Sequence, residues 1–131
     1  MTGEEVMRTA TDAWNARGIE GFLEHTALDF VWHAPPEYME GQEWRGHEAV
    51  AHSWQRQFQS VFEHMHSDFE SYEAGPGGHL ALLRAHARAR GSGIDLEWNA
   101  YFVTRIRGDL ITELWSFTHE SEARAQAGLE P

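Results

Sequence analysis

Apolar residues recur at helical spacing near the start of the chain. Thr2 followed by Glu5 is typical of a capping box, and Gly18 ends the regular pattern. The predicted amphipathic helix between them carries four apolar side chains on one face, namely Val6, Ala10, Ala13 and Trp14. Residues 18–25 predict a second, short helix, which leads into a strand-like run over residues 30–33.

A third helical pattern follows Pro35 and Pro36. Its apolar positions lie at i, i+4, i+8 and i+11 and predict one long helix with a single apolar stripe, formed by Val50, Trp54, Phe58 and Val61. Glu48 lies in the first turn, where a carboxylate interacts favourably with the positive end of the helix dipole. The sequence therefore predicts three helices in the N-terminal half of the chain.

From His64 onward the period of the pattern changes to two, which is typical of strands. Turn signals at 76–78 and 108–109 separate the alternating segments, and a short closing helix is expected between Ser121 and Gly128. Four successive strands are predicted, at residues 64–73, 79–90, 94–107 and 110–120.

Antiparallel strands joined this tightly form a meander, whose apolar face is buried when helices lie across it. A chain of 131 residues is long enough for one core and too short for two. We therefore expect a single α+β domain over residues 1–131. In it a curved antiparallel sheet wraps around three helices of the N-terminal half and forms a cone with a pocket.

Composition and charge exclude several kinds of function. The chain has no cysteine and its ten cationic side chains are all arginine, so thiolate and lysine Schiff-base chemistry are unavailable. A formal charge of −11 disfavours binding to a phosphate backbone, so nucleic acid is not an expected partner. Neither a signal peptide nor an apolar run of bilayer length is recognisable, and we expect a cytoplasmic protein without membrane contact.

Three segments, taken in order, resemble the SnoaL-like branch of the nuclear transport factor 2-like superfamily. They are "WNARGIEGFLEHTALDFVWH", "WRGHEAV" and "LITELWSFTHESEARAQAGL", and the similarity runs from Trp14 to Leu129. The superfamily also includes ketosteroid isomerases, limonene epoxide hydrolases and scytalone dehydratases. The resemblance implies a pocket at the wide end of the cone, lined by the concave side of the sheet and by the first and third helices.

The resemblance also implies two candidate proton-transfer residues. His33 takes the place of the carboxylate that shuttles a proton in isomerase relatives, and His119 lies near the acid/base Asp of SnoaL-type polyketide cyclases. Ala10 and Phe102 replace the isomerase oxyanion pair, and the Asp-Arg-Asp arrangement of the epoxide hydrolases is not recognisable. These named reactions are therefore disfavoured, whereas another proton transfer by the two imidazoles stays open. The alternative is that both are strand-end histidines with structural hydrogen bonds.

Aromatic residues supply candidate walls for an apolar ligand pocket. Trp14 and Trp54 come from the two helices that flank the cavity in relatives, and Tyr38, just after the two prolines, is a candidate lid. The complete set of candidate ligand-binding residues is Trp14, Tyr38, Trp54, Phe58, Phe102 and Trp115. The alternative for most of these rings is a place in the core.

Polar residues on the predicted strands suggest a metal site and a subunit contact. His64, His66, Asp68 and Glu70 alternate along one strand and would share a face, but solvated strand faces usually carry such residues, so no metal and no cofactor are expected. Relatives commonly form homodimers through the outer sheet face. Tyr101 and Val103 would give that contact its apolar part, beside an outer surface of paired charges formed by Arg84, His86, Arg88, Arg90 and Glu97.

Two functions of different classes remain open at this point. The first is a cofactor-independent proton-transfer enzyme, of isomerase, cyclase, dehydratase or hydrolase type, acting on a small apolar carbonyl compound through His33 and His119. The second is a binding module that holds a small hydrophobic molecule without chemistry. In a third reading the pocket is filled by side chains and the domain serves association only.

Overall fold

The computed structural model describes residues 1–35 and 43–131. Three helices and six strands account for most of them, with a π-helix directly after α2. The elements are α1 (Gly3–Leu23), β1 (Thr26–His33), β2 (Glu43–Arg45), α2 (His47–Trp54), the π-helix (Gln55–Gln59), β3 (Phe62–Gly75), β4 (Gly78–Ala89), β5 (Asp95–Arg107), β6 (Leu110–Phe117) and α3 (Glu120–Ala127). Candidate lid residue Tyr38 lies outside the described residues.

The strands form one curved sheet in the order β2-β1-β6-β5-β4-β3. All neighbouring strands are antiparallel except β1 and β6, which are parallel. The predicted four-strand meander is confirmed as β3 to β6, and α1 and α2 lie across its concave side as expected for an α+β cone. Strand β1 precedes the meander in sequence and adds to its far edge, beside β6.

Helix α1 contains both of the first two predicted helices. Its N-terminus has the predicted capping box, in which the Thr2 hydroxyl accepts from the Glu5 backbone and the Glu5 carboxylate accepts from the Thr2 backbone. Gly18 interrupts the helix with φ 67° and ψ −149°, a conformation that glycine adopts without steric cost. The predicted boundary is therefore a break within one element.

The single apolar stripe predicted for the third helix is wrong beyond Phe58. Helix α2 ends at Trp54 and continues as a π-helix, which closes with a bond from the Ser60 backbone N–H to the Gln55 carbonyl at 3.2 Å. A π-turn inserts one residue relative to α-helical spacing and rotates everything after it. Val61 is consequently turned outward and is 48% exposed.

The closing helix α3 covers part of the convex side of the sheet. It begins after His119 instead of Ser121, and it ends as predicted at Gly128, which has a left-handed conformation. Ala123 and Ala127 pack against Val103, which is completely buried. The expectation that Val103 supplies apolar surface to a subunit contact is therefore wrong, and homodimerisation through the convex face stays a prediction.

Candidate functional site: an aromatic cluster on the concave side

Neighbouring residues of β1 occupy opposite faces of the sheet. Trp32 is opposite Leu114 of β6 and is almost completely buried among the helices on the concave side. His33 is opposite Trp115 and lies on the convex side. Because side chains alternate along a strand, the two faces of β1 belong to two different environments.

Five rings meet on the concave side, and we call them the concave aromatic cluster: Trp14, Trp32, Trp44, Trp54 and Phe58. Trp32 stacks on Trp44 with a centroid distance of 4.8 Å and an interplanar angle of 23°. Trp54 contacts three of the other four rings, with centroid distances of 4.9 Å to Trp14, 5.2 Å to Trp32 and 4.6 Å to Phe58. Each such contact adds about 0.5–1.5 kcal/mol to the free energy of burial.

Five structural elements position these rings. Trp14 projects from α1, Trp32 from β1, Trp44 from the short edge strand β2, Trp54 from the last turn of α2 and Phe58 from the π-helix. Trp32 is 1% exposed, whereas the other four rings are only partly buried. The cluster therefore has a buried base and a solvent-accessible edge. π-helical turns occur frequently at functional sites, and this one places Phe58 at that edge.

Polar contacts fix the base of the cluster and the helix above it. The Trp32 indole N–H donates to the Ser116 hydroxyl at 2.9 Å in a buried hydrogen bond. The Asn15 side chain donates to the Ser67 carbonyl and accepts from the Ser67 backbone N–H, both at 2.8 Å. This paired bond ties α1 to β3 next to Trp14, so the concave side is held by directional contacts as well as by packing.

Three of the predicted ligand-binding residues meet in the cluster, namely Trp14, Trp54 and Phe58. Phe102 also faces the concave side, where it packs between the cluster and the apolar residues of β4. Trp115 lies on the convex face, so its predicted place in the pocket wall is wrong. Sequence reasoning missed Trp32 and Trp44. For Trp32 the sequence does contain a signal, because Phe30 and Trp32 are two positions apart and therefore share one face of the strand.

On the convex face His33 lies between two carboxylates. Its Nε2 is 2.5 Å from Glu113 of β6, and its Nδ1 is 3.3 Å from Glu43 of β2. The imidazole stacks on Trp115 with a centroid distance of 4.8 Å and an interplanar angle of 2°. The Arg105 guanidinium lies 5.2 Å from the Trp115 ring centre and 3.8 Å from the Glu113 carboxylate. The expected position of His33 on the concave wall is therefore wrong.

Comparison with known proteins identifies the family. The sequence profile of the SnoaL-like domain matches residues 7–114, most of the chain. The chain belongs to the SnoaL-like domain family. Comparison with functionally curated proteins gives no match.

Solved structures similar to this SnoaL-like chain share its fold at low sequence identity. An NTF2-like protein of unknown function from Burkholderia pseudomallei has 18% identity and a TM-score of 0.75, with 97% of this chain and 98% of that chain covered. A protein with a ketosteroid isomerase-like fold from Catenulispora acidiphila, solved with trimethylamine, has 18% identity and a TM-score of 0.73, covering 98% and 96%. Rv0760c from Mycobacterium tuberculosis, solved with estradiol-17β-hemisuccinate, has 19% identity and a TM-score of 0.69, covering 91% and 95%.

The second candidate catalytic residue of this SnoaL-like chain, His119, is the N-cap of α3. Its side chain makes no capping hydrogen bond, and the residue is exposed. The backbone carbonyl of His119 accepts from the Ala123 N–H, so the residue belongs to the start of α3 on the convex side. The structure therefore does not bring His119 and the concave aromatic cluster together.

The polar residues of β3 do not keep the predicted alternation. His64 has a φ of 54° beside a bulge between Glu63 and His66, so the regular alternation of the strand is interrupted at this point. The Asp68 carboxylate accepts from His66 at 3.0 Å and from His86 at 2.9 Å, and these bonds lower the pKa of Asp68. Within residues 1–35 and 43–131, no group of three or more His, Asp or Glu side chains is arranged to hold a metal ion.

A polar pair lies on the concave side at the end of the sheet where α1 begins. The Tyr72 hydroxyl is 2.6 Å from His79 Nδ1, and Gly3 of α1 packs directly on both side chains. Burial raises the pKa of Tyr72 and lowers that of His79, so the phenol donates to a neutral imidazole.

None of the helices in the described part of the chain has the length and apolar character needed to span a bilayer.

Proposed function

We propose that this SnoaL-like domain binds a small apolar molecule containing fused or linked rings, which packs against the accessible edge of the concave aromatic cluster. The observation that carries the proposal is the convergence of Trp14, Trp44, Trp54 and Phe58 from four elements around a buried Trp32. Flat apolar surfaces of this kind favour ring-shaped ligands through stacked and edge-to-face contacts.

Binding without proton transfer is favoured over the enzymatic alternative by the placement of the histidines. His33 lies on the convex face with both ring nitrogens directed at carboxylates, and His119 is exposed at the start of α3. A general base must reach the proton that it removes, to within a hydrogen bond or one bridging water. A ligand on the concave cluster is separated from His33 by the sheet itself.

The ligand class is supported by a neighbour of the same fold. Rv0760c was solved with estradiol-17β-hemisuccinate, a steroid conjugate with a rigid apolar ring system and a terminal carboxylate. We use this compound as the ringed probe for the present chain. Decanoate, which has an apolar chain and a carboxylate but no ring, is the matched control ligand.

The test compares one phenylalanine on each face of the sheet. Phe58 contributes to the concave cluster, and Phe117 is a partly buried residue of β6 on the convex side, packed near α3. Phe58→Leu is expected to weaken binding of the ringed probe about tenfold, equivalent to about 1.4 kcal/mol, as measured by isothermal titration calorimetry. Phe117→Leu is expected to change the affinity less than about twofold.

Two results would contradict the proposal. One is that the wild type binds decanoate and the ringed probe with equal affinity, which would show that the site does not select ringed molecules. The other is equal affinity of the two leucine variants, which would remove the concave cluster from the site. Thermal unfolding of both variants confirms that each is folded at the temperature of the titration.

A further inference from the structure

Strand β3 forms one edge of the sheet and pairs with β4 alone. Along an edge strand the outward-pointing backbone N–H and C=O groups lack a neighbouring strand and need other partners. At Ser67 both groups are bound by the side chain of Asn15. The Ser67 N–H donates to Asn15 Oδ1, and the Ser67 carbonyl accepts from Asn15 Nδ2, both at 2.8 Å. The Asn15 amide therefore takes the place of a peptide group in a further strand.

The Asn15–Ser67 pair lies near the end of the regular part of α1. Gly18, three residues after Asn15, interrupts the helix, and helix ends fray most readily in their last turn. Two turns earlier, the exposed Arg8 guanidinium lies 4.2 Å from the Phe69 ring centre, a contact that depends less on direction than a hydrogen bond. The last turn of α1 before the break is therefore held to the sheet by the paired bonds of Asn15.

These bonds also set the rotation of α1 about its axis. Consecutive helical residues project about 100° apart, so Asn15 can face β3 while Trp14 faces α2. Trp14 is partly buried and meets Trp54 edge-on, with a centroid distance of 4.9 Å and an interplanar angle of 64°. A rotation that breaks the Asn15–Ser67 pair turns Trp14 away from Trp54. The direction of the Trp14 ring is thus tied to the pair.

We infer that Asn15 is a positioning residue, which pairs with the open edge of β3 and thereby holds Trp14 at the accessible edge of the concave aromatic cluster. The inference rests on the proposed function for its consequence in ligand binding. A ligand that packs on the positioned Trp14 favours the closed pair, and the closed pair favours the ligand, because coupling between two sites is reciprocal. The link between Asn15 and Trp14 itself is a property of the unliganded protein.

The chemistry of the side chain selects the variant and its control. An asparagine amide offers both a donor and an acceptor, whereas leucine has a similar shape and neither. Asn15→Leu therefore removes the two bonds while it keeps the volume of the side chain. Asn99→Leu is the matched control, because Asn99 is exposed on β5 and accepts from Arg84 on the convex face at 2.9 Å.

The unliganded protein provides two readouts by NMR. In Asn15→Leu the Ser67 backbone amide is expected to exchange with solvent at least about tenfold faster than in the wild type. The Trp14 indole N–H signal should move towards that of a solvent-exposed indole, whereas the Trp32 signal, bonded to Ser116, should stay unchanged. Asn99→Leu should match the wild type in both readouts. An unchanged Ser67 rate or an unchanged Trp14 signal in Asn15→Leu would overturn the inference.

A measurement on the wild type does not depend on the folding of a variant. Saturation with the ringed probe should slow the exchange of the Asn15 side-chain amide protons with water at least about threefold, because the ligand favours the closed pair. The side-chain amide protons of Asn99 are the internal control and should keep their rate. Equal effects on both side chains, or no effect on Asn15, would contradict the coupling.

Ligand affinity then separates this inference from the proposed function. Isothermal titration calorimetry should show that Asn15→Leu binds the ringed probe at least about fivefold more weakly than the wild type and Asn99→Leu. If the wild type does not bind the probe, the proposed function fails, and the two unliganded readouts alone decide whether Asn15 positions Trp14. If the wild type and Asn15→Leu bind the probe equally well, the role of Asn15 in binding fails and the proposed function stands.

Discussion

The two faces of β1 show how one strand serves two environments. On the concave side Trp32 is buried against three other rings, those of Trp44, Trp54 and Phe58, and its indole N–H donates to the buried Ser116 hydroxyl. On the convex side the next residue, His33, lies among charged groups that remain partly exposed. Packing dominates the first environment and electrostatic contacts the second. Mutations on the two faces are therefore expected to differ in their cost to stability.

Truncation of the adjacent residues Trp32 and His33 is the strongest test of this difference between the two faces. Trp32→Ala removes a fully buried indole and should lower the free energy of unfolding by roughly 3–5 kcal/mol. His33→Ala removes one hydrogen bond, to Glu113, at a partly exposed site and should cost roughly 0.5–2 kcal/mol. Chemical denaturation of both variants measures the two values. Equal costs would show that the faces are not energetically distinct.

The buried hydrogen bond of the concave side gives the next largest effect. Ser116→Ala leaves the indole N–H of Trp32 without its acceptor inside the core, which should cost roughly 1–3 kcal/mol. Ser121→Ala, in the exposed first turn of α3, is the control and should change stability by less than about 0.5 kcal/mol. Urea denaturation measures the free energy of unfolding of both variants. A decrease of similar size in both would show that the buried hydrogen bond does not contribute specifically to stability.

Acidification should act on the concave side through His79. Burial lowers the pKa of this imidazole, so the unfolded chain binds a proton more readily than the folded protein. Stability is therefore expected to fall as the pH drops through the ordinary histidine value of about 6.5. His79→Gln should make the pH dependence of unfolding shallower. An unchanged slope in His79→Gln would refute this assignment.

Ion pairs of the convex face should have the smallest effect. Arg84 pairs with Glu97 through Nε at 2.5 Å, and both side chains are more than a third exposed. Solvent and salt screen such pairs, so Arg84→Ala should lower stability by less than about 1 kcal/mol. Repeating the thermal melt in high salt should shrink the difference between variant and wild type. A difference that grows with salt would contradict an electrostatic origin.

Sequence patterns predicted the meander because its signals are local. Alternation along β4 and β5, together with turn residues at 76–78 and 108–109, defines strands and hairpins without knowledge of distant contacts. The parallel pairing of β1 with β6 joins segments about 80 residues apart in sequence and has no local signal. The π-helix has no local sequence signal either, because Trp54, Phe58 and Val61 have the spacing of a continuous α-helical stripe.

The candidate site was predicted in part, since the face that a residue occupies changes with a shift of one position. Trp14, Trp54 and Phe58 follow from helical periodicity and do meet on the concave side. The resemblance implies a place for His33 in the pocket wall, whereas in the structure the adjacent Trp32 occupies the concave face. Trp44 was missed because a three-residue strand has too short a pattern to indicate a face.

Ligand binding at the concave aromatic cluster can be followed by NMR of the six indole N–H groups during titration with the ringed probe, each signal being assigned by a Trp→Phe variant. We expect the signals of Trp44 and Trp54 to shift most and the signal of Trp115 to stay unchanged. A shift of Trp115 and of the His33 ring protons, with the concave signals unchanged, would place the ligand on the convex face and refute binding at the cluster.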